Sequence, residues 1–188
     1  MCEPALPLPA TRGAVATVTL TLGDFTFKRV LAERFDAAEL AVVFGAIYTG
    51  LNLVGLVIQL VVTPRLFAHW SVGMALVVLP TLLLVTATGF ALTGTIIAIV
   101  ALKIADGGLR HSLHRAGSEI LFLPLPAATR DDWKPVADAV SQRGGQALAA
   151  LLTFVLASFA MGAQLVAAVV AGGAVLWMLT LHVVRRAY

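Results

Sequence analysis

Long apolar runs broken by short charged clusters set the pattern of this chain. Crossing the hydrocarbon core of a bilayer takes roughly 20 predominantly apolar residues. Between positions 38 and 62 the only charge is Glu39, near the start, and Pro64 with Arg65 marks the exit. A second run, 72–92, carries Pro80 at its middle. A membrane bundle tolerates such a kink because neighbouring helices satisfy the freed backbone groups. Thr93 and Gly94 predict a turn into a further helix that continues past Lys103. Residues 146–157 extend a helix that starts near Asp131, and 162–184 is a span closed by Arg185 and Arg186. The first stretch, 13–34, is ambiguous. Only 14–23 is uncharged, and Asp24, Lys28 and Arg29 interrupt the remainder, so it is either a short or functional span or one whose start was lost. The pattern predicts an all-α, polytopic transmembrane helix bundle of five or six helices. They fall near 13–35, 38–63, 71–92, 94–122, 131–159 and 161–186. Residues 1–12, with Pro4, Pro7 and Pro9, read as a disordered lead-in rather than helix or signal peptide.

Composition sharpens this to a membrane protein. The 188 residues are 60% hydrophobic and 12% charged, where soluble domains run near half apolar and a quarter charged. A soluble monomer of this size would expose large apolar patches. The net charge of +3 sits in clusters between the apolar runs, which fits a positive-inside bias rather than nucleic-acid binding. With entry from the cytoplasm, Arg65, the basic group between Lys103 and Arg143, and Arg185 and Arg186 all fall inside. The uncharged turns at 88–94 and 158–164 fall outside. Lys28, Arg29 and Arg34 are exceptions, accompanied by Glu33, Asp36 and Glu39. The expected location is a bacterial inner membrane, with multiple passes and a cytoplasmic C-terminus. The single Cys2 excludes an internal disulfide.

Three constellations bear on chemistry. Gly45, Tyr48, Asn52, Gly55 and Gln59 recur at steps of three and four, so they share one helix face. They serve either as interhelical glue or as the lining of a cavity. Lys103, Asp106, Arg110 and His114 also share a face. Lys103 is either an intramembrane functional charge or a lysine snorkelling to the surface where its helix leaves the bilayer. Asp24 and Lys28 have the spacing of an i,i+4 ion pair, ordinary on a surface helix and suspicious on a spanning one. His111, His114 and Glu119 do not form a metal site in this reading, because Arg110 and Arg115 flank them. No nucleophile elbow, P-loop or zincin motif is present, so no enzyme and no cofactor is expected.

The segment from Arg110 to Pro126, RHSLHRAGSEILFLPLP, resembles the signature loop of the nucleotide (ATP/ADP) exchange transporters of plastids and obligate intracellular bacteria. Lys134, Asp138 and Arg143-Gly144 are similar to the Lys, Asp and Arg-x-Gly that open the next helix in that family. Asp24-Phe25-Thr26-Phe27-Lys28 is similar to its Asp-aromatic-x-Phe-Lys. The resemblance covers most of the chain, as the C-terminal six-helix half of a major-facilitator architecture. It implies half of a transporter for nucleotides or other anionic solutes, needing a second six-helix half or self-association. Lys28, Lys103 and Arg110 would then meet the substrate's charge, with Asp24, Asp106, Asn52 and Gln59 beside them. Glu119, Lys134, Asp138 and Arg143 would be structural residues of the loop. The alternative is a non-transporting anchor or sensor for a soluble domain. The partners implied are the lipid bilayer and an anionic solute, with no nucleic acid.

Overall fold

A computed structural model describes residues 7–65, 72–109, 136 and 138–187. Every regular element among them is helical: α1 (Pro7–Ala32), α2 (Ala37–Val57), α3 (Val72–Thr93), α4 (Ile96–Leu109), α5 (Gly145–Ser158) and α6 (Ala163–Ala187). Short π-helical segments, Ile58–Val62 and Val140–Gly144, extend α2 and precede α5. Among the described residues, three helical stretches are long and apolar enough to cross a membrane: Ala37–Arg65, Leu76–Thr93 and Ala163–Val183. Their length and apolar surface mark the chain as a membrane protein.

Consecutive helices alternate in direction, and α1 runs through the middle. It packs on α4, α5 and α6, while α6 lies between α1 and α3, and α2 rests mainly on α4. The centre is built from Leu22, Phe27 and Leu31 of α1, Leu79 and Leu83 of α3, Ile99 and Leu102 of α4, and Val166, Val170 and Trp177 of α6. α1 combines an apolar surface with four threonines that sit comfortably inside. Thr17, Thr19, Thr21 and Thr26 donate to the carbonyls four residues earlier, of Gly13, Val15, Thr17 and Leu22, at 2.7–2.9 Å. Each hydroxyl is satisfied within its own helix and asks nothing of its neighbours.

The helix begins earlier than the sequence pattern suggests. Residues 7–12 belong to α1, where a disordered lead-in was expected. Pro7 and Pro9 are compatible because first-turn amides have no intrahelical acceptor, so a missing N–H costs nothing there.

Helix ends are tied by charged side chains. Asp36 caps α2, accepting from the amides of Ala38 at 3.0 Å and Glu39 at 2.8 Å, while Glu39 reaches back to the Asp36 amide. Gly94 takes φ +62° in the turn between α3 and α4, the left-handed C-terminal position that favours glycine. Arg34 donates to the Gly94 carbonyl at 2.7 Å, and Arg29 to the Met161 carbonyl at 2.6 Å in the turn before α6. These two arginines, exceptions to the charge asymmetry of the sequence, hold turn carbonyls at one end of the bundle.

Close helix contact needs glycine at Gly145. An added Cβ there would lie 2.8 Å from Thr17 Cβ and 3.1 Å from the Ala14 carbonyl oxygen, which belongs to the α1 backbone and cannot step aside. At Gly172, by contrast, a Cβ meets nothing within 4 Å. Gly145→Ala should therefore destabilise the protein by about 1–3 kcal/mol through overpacking. Gly172→Ala should stabilise it by about 0.5–1 kcal/mol through helix propensity. Denaturant titration of both variants in detergent micelles, followed by circular dichroism, checks the contrast.

Candidate functional site

The site begins with a lysine held inside an apolar bundle. Lys103 on α4 is 8% exposed, and Asp106, one turn along the same helix, is 3% exposed. Neither fits a helix that has left the packed core at that point. α1 supplies the answering charge: Asp24 Oδ1 lies 2.6 Å from Lys103 Nζ, and Asp24 Oδ2 lies 2.6 Å from Lys28 Nζ. Asp106 Oδ2 adds a weaker contact to Lys103 at 3.3 Å. One carboxylate thus bridges two ammonium groups from two helices, and a second supports the deeper of them.

Local structure explains the alignment. Asp24, Phe27 and Lys28 occupy one face of α1 by helical spacing, and Lys103 and Asp106 one face of α4. The two helices approach closely at Gly23, where a Cβ would stand 3.2 Å from Leu102 Cδ2. Aromatic rings complete the setting. Lys103 Nζ lies 5.8 Å from the Phe27 ring centre and 5.7 Å from that of Tyr48, within cation–π range. Phe44 meets Phe27 edge-on at 6.1 Å and stacks on Tyr48 at 6.0 Å. The ammonium of Lys103 thus has carboxylates on one side and π faces on the other. Lys28 differs: its side chain is 54% exposed, with Asp24 as its salt-bridge partner. It is the cation of the group that an incoming anion can reach.

The Asp24–Lys28 spacing and the shared face of Lys103 and Asp106 both become ion pairs, at 2.6 and 3.3 Å, and the geometry adds a bond of 2.6 Å from Lys103 to Asp24 that sequence reasoning did not give. Lys103 lies about 10 Å along α4 from its first residue, Ile96, and Lys28 about 6 Å along α1 from its last, Ala32, both measured from the end where Gly94 and Met161 form turns. Asn52 and Gln59 are not part of this group. They are exposed on α2 and on its π-helical extension respectively, while Tyr48 of the same stripe turns toward Lys103. Asp138 and Arg143 are exposed beside and within the π-helical segment before α5, remote in sequence from the lysines. Arg110, Glu119 and Lys134, with His111 and His114, lie outside the described residues. Phe27 and Phe44 belong to the site and were not foreseen. Phe27 stood in the Asp24–Lys28 motif without a role of its own, and nothing in the spacing pointed to Phe44. Arg12 on α1 is buried at 4% exposure and was likewise not foreseen, although it stands apart from this group. Among the described residues no cluster of His, Cys, Asp and Glu has the makings of a metal site.

Compared with known proteins, the chain matches no family model, no curated sequence and no solved structure.

Proposed function

We propose that the chain is one half of a membrane transporter for anionic solutes, nucleotide-like if the resemblance of its loop is followed, and that it acts with a second half. The observation that carries the reading is the double use of Asp24. A lysine at the centre of a membrane helix costs about 2.5–3.5 kcal/mol on insertion scales. Here Lys103, its side chain only 10% exposed, shares one carboxylate with Lys28, which sits nearer the turn end. A phosphate-bearing ligand competes with Asp24 for the exposed Lys28. Lys103, retained by Asp106, then holds the field that keeps the ligand in place. Rocking of two halves about such a site gives alternating access. The same reading places the end bearing Arg65 and Arg143 in the cytoplasm, with the turns at Gly94 and Met161 outside.

The charge balance of the group favours a second reading. Two lysines face two carboxylates, so the network is complete without a ligand, as a purely structural lock in a membrane anchor would be. Isothermal titration of the purified protein in lipid nanodiscs with ATP and with inorganic phosphate separates the two. Transport predicts binding that weakens as salt rises and falls at least about tenfold in Lys28→Gln, the scale of one charge-assisted contact. If the wild-type protein binds neither anion, or Lys28→Gln and Lys103→Gln both bind as well as wild type, the anchor reading replaces it.

A further inference from the structure

The least covered span in the bundle is α2 with its extension to Arg65. Only 6% of its apolar window is buried, against 33% in each of the other two. Most of its exposed surface needs no partner in a bilayer. Val42, Leu53, Leu56 and Leu60 are 72%, 61%, 52% and 67% exposed and are satisfied by lipid tails. Asn52 and Gln59 are not. Both amides are exposed on the same helix, neither makes a side-chain hydrogen bond among the described residues, and acyl chains offer none.

Their placement is regular. Gly45, Asn52 and Gln59 are spaced by seven residues, the repeat that keeps one seam facing a partner helix in a left-handed crossing. The seam lies between the side of α2 that packs on α4 and the lipid-facing ridge of Leu53 and Leu60, about 100° round the helix. At Gly45 a Cβ would meet nothing within 4 Å, so packing inside this chain does not require glycine there. A second helix approaching that seam would find bare backbone first, then an amide, then another amide.

We infer that the seam Gly45–Asn52–Gln59 is the interface between two copies of this chain, paired about a twofold axis normal to the membrane. The occupant is set by amide chemistry. A carboxamide both donates and accepts, so Asn52 facing Asn52 of a parallel copy satisfies both, and Gln59 repeats the arrangement two turns on. No charge interrupts α2 between Glu39 and Arg65, so parallel copies meet no like-charge repulsion along the seam. The inference rests on α2 spanning the membrane and not on anion binding, so either can fail alone.

Cysteine cross-linking in native membranes tests it, in a Cys2→Ser background that leaves no other thiol. Asn52→Cys and Gln59→Cys should each give an oxidant-dependent dimer of this chain, and Leu53→Cys and Leu60→Cys should not. Single-molecule photobleaching of the unmodified protein in nanodiscs should show two copies. Asn52→Leu should lower the dimerisation constant roughly three- to twentyfold, and Asn52→Gln should restore most of it, as interhelical amide bonds of modest strength predict. Monomers throughout, cross-links at 53 and 60 in place of 52 and 59, or adducts of 52 and 59 only with another protein would each overturn the inference.

Discussion

Asp24→Asn should destabilise the folded protein by about 3 kcal/mol, the low end of the range for breaking a buried ion pair by removing one partner. The low end applies because the Asp24 side chain is 28% exposed, so water screens part of the interaction. The loss comes chiefly from Lys103, whose side chain is 10% exposed and which would keep only the longer contact to Asp106. Lys28, at 54% exposure, turns to solvent or headgroups, and Lys28→Met should cost less than about 1 kcal/mol. The double variant Asp24→Leu with Lys103→Met should lose less than the sum of its two single variants, since neither charge is left without the other, although Asp106 gives up its contact to Lys103. Unfolding by added sodium dodecyl sulfate in mixed micelles measures the wild type, these variants and the singles Asp24→Leu and Lys103→Met. Additive losses in the double variant would mean that Asp24 and Lys103 do not interact in the membrane as they do here.

Much of the architecture lies in the plain run of apolar residues, and the exceptions have physical causes. α2, α3 and α6 are legible because hardly a charge breaks them over a bilayer's thickness. α1 is not, because its threonines and ions read as polar one by one. What makes it the central helix is back-bonding of each hydroxyl to its own turn and the pairing of Asp24 across to α4, neither of which a hydropathy pattern records. The Asp24–Lys28 pair was readable from its spacing, whereas the Asp24–Lys103 bond joins residues 79 apart. Periodicity also put Tyr48, Asn52 and Gln59 on one stripe. It does not tell which edge of that stripe turns inward, and Tyr48 is the member that reaches Lys103. The basic residues at the turn end looked like breaches of charge asymmetry. Two of them, Arg29 and Arg34, are spent on the carbonyls of Met161 and Gly94.

Trp177→Ala should cost about 3 kcal/mol, while Leu176→Ala, one residue away, should cost less than about 1 kcal/mol. α6 turns a single face inward. Val166, Val170, Ala174, Trp177 and Leu181 succeed one another at steps of three and four and are at most 2% exposed. Leu165, Val169, Leu176 and Leu179 on the opposite face are 59%, 41%, 50% and 58% exposed. In water both faces would be worth burying. In a bilayer, lipid is as apolar as leucine, so transfer contributes little and packing decides. Trp177 at 0% exposure belongs to the buried core, and its removal leaves a cavity that lipid tails cannot reach. Leu176 loses only contacts that a lipid chain restores. The two faces should respond in opposite ways to charge as well as to volume. Leu176→Arg places a guanidinium in hydrocarbon, at about 2.5–3.5 kcal/mol near the helix centre. On a water-exposed face the same substitution would be nearly neutral. Stability in mixed micelles and the fraction inserted in a translocation assay measure the pair. A neutral Leu176→Arg would show that the outer face of α6 meets water or another protein rather than lipid.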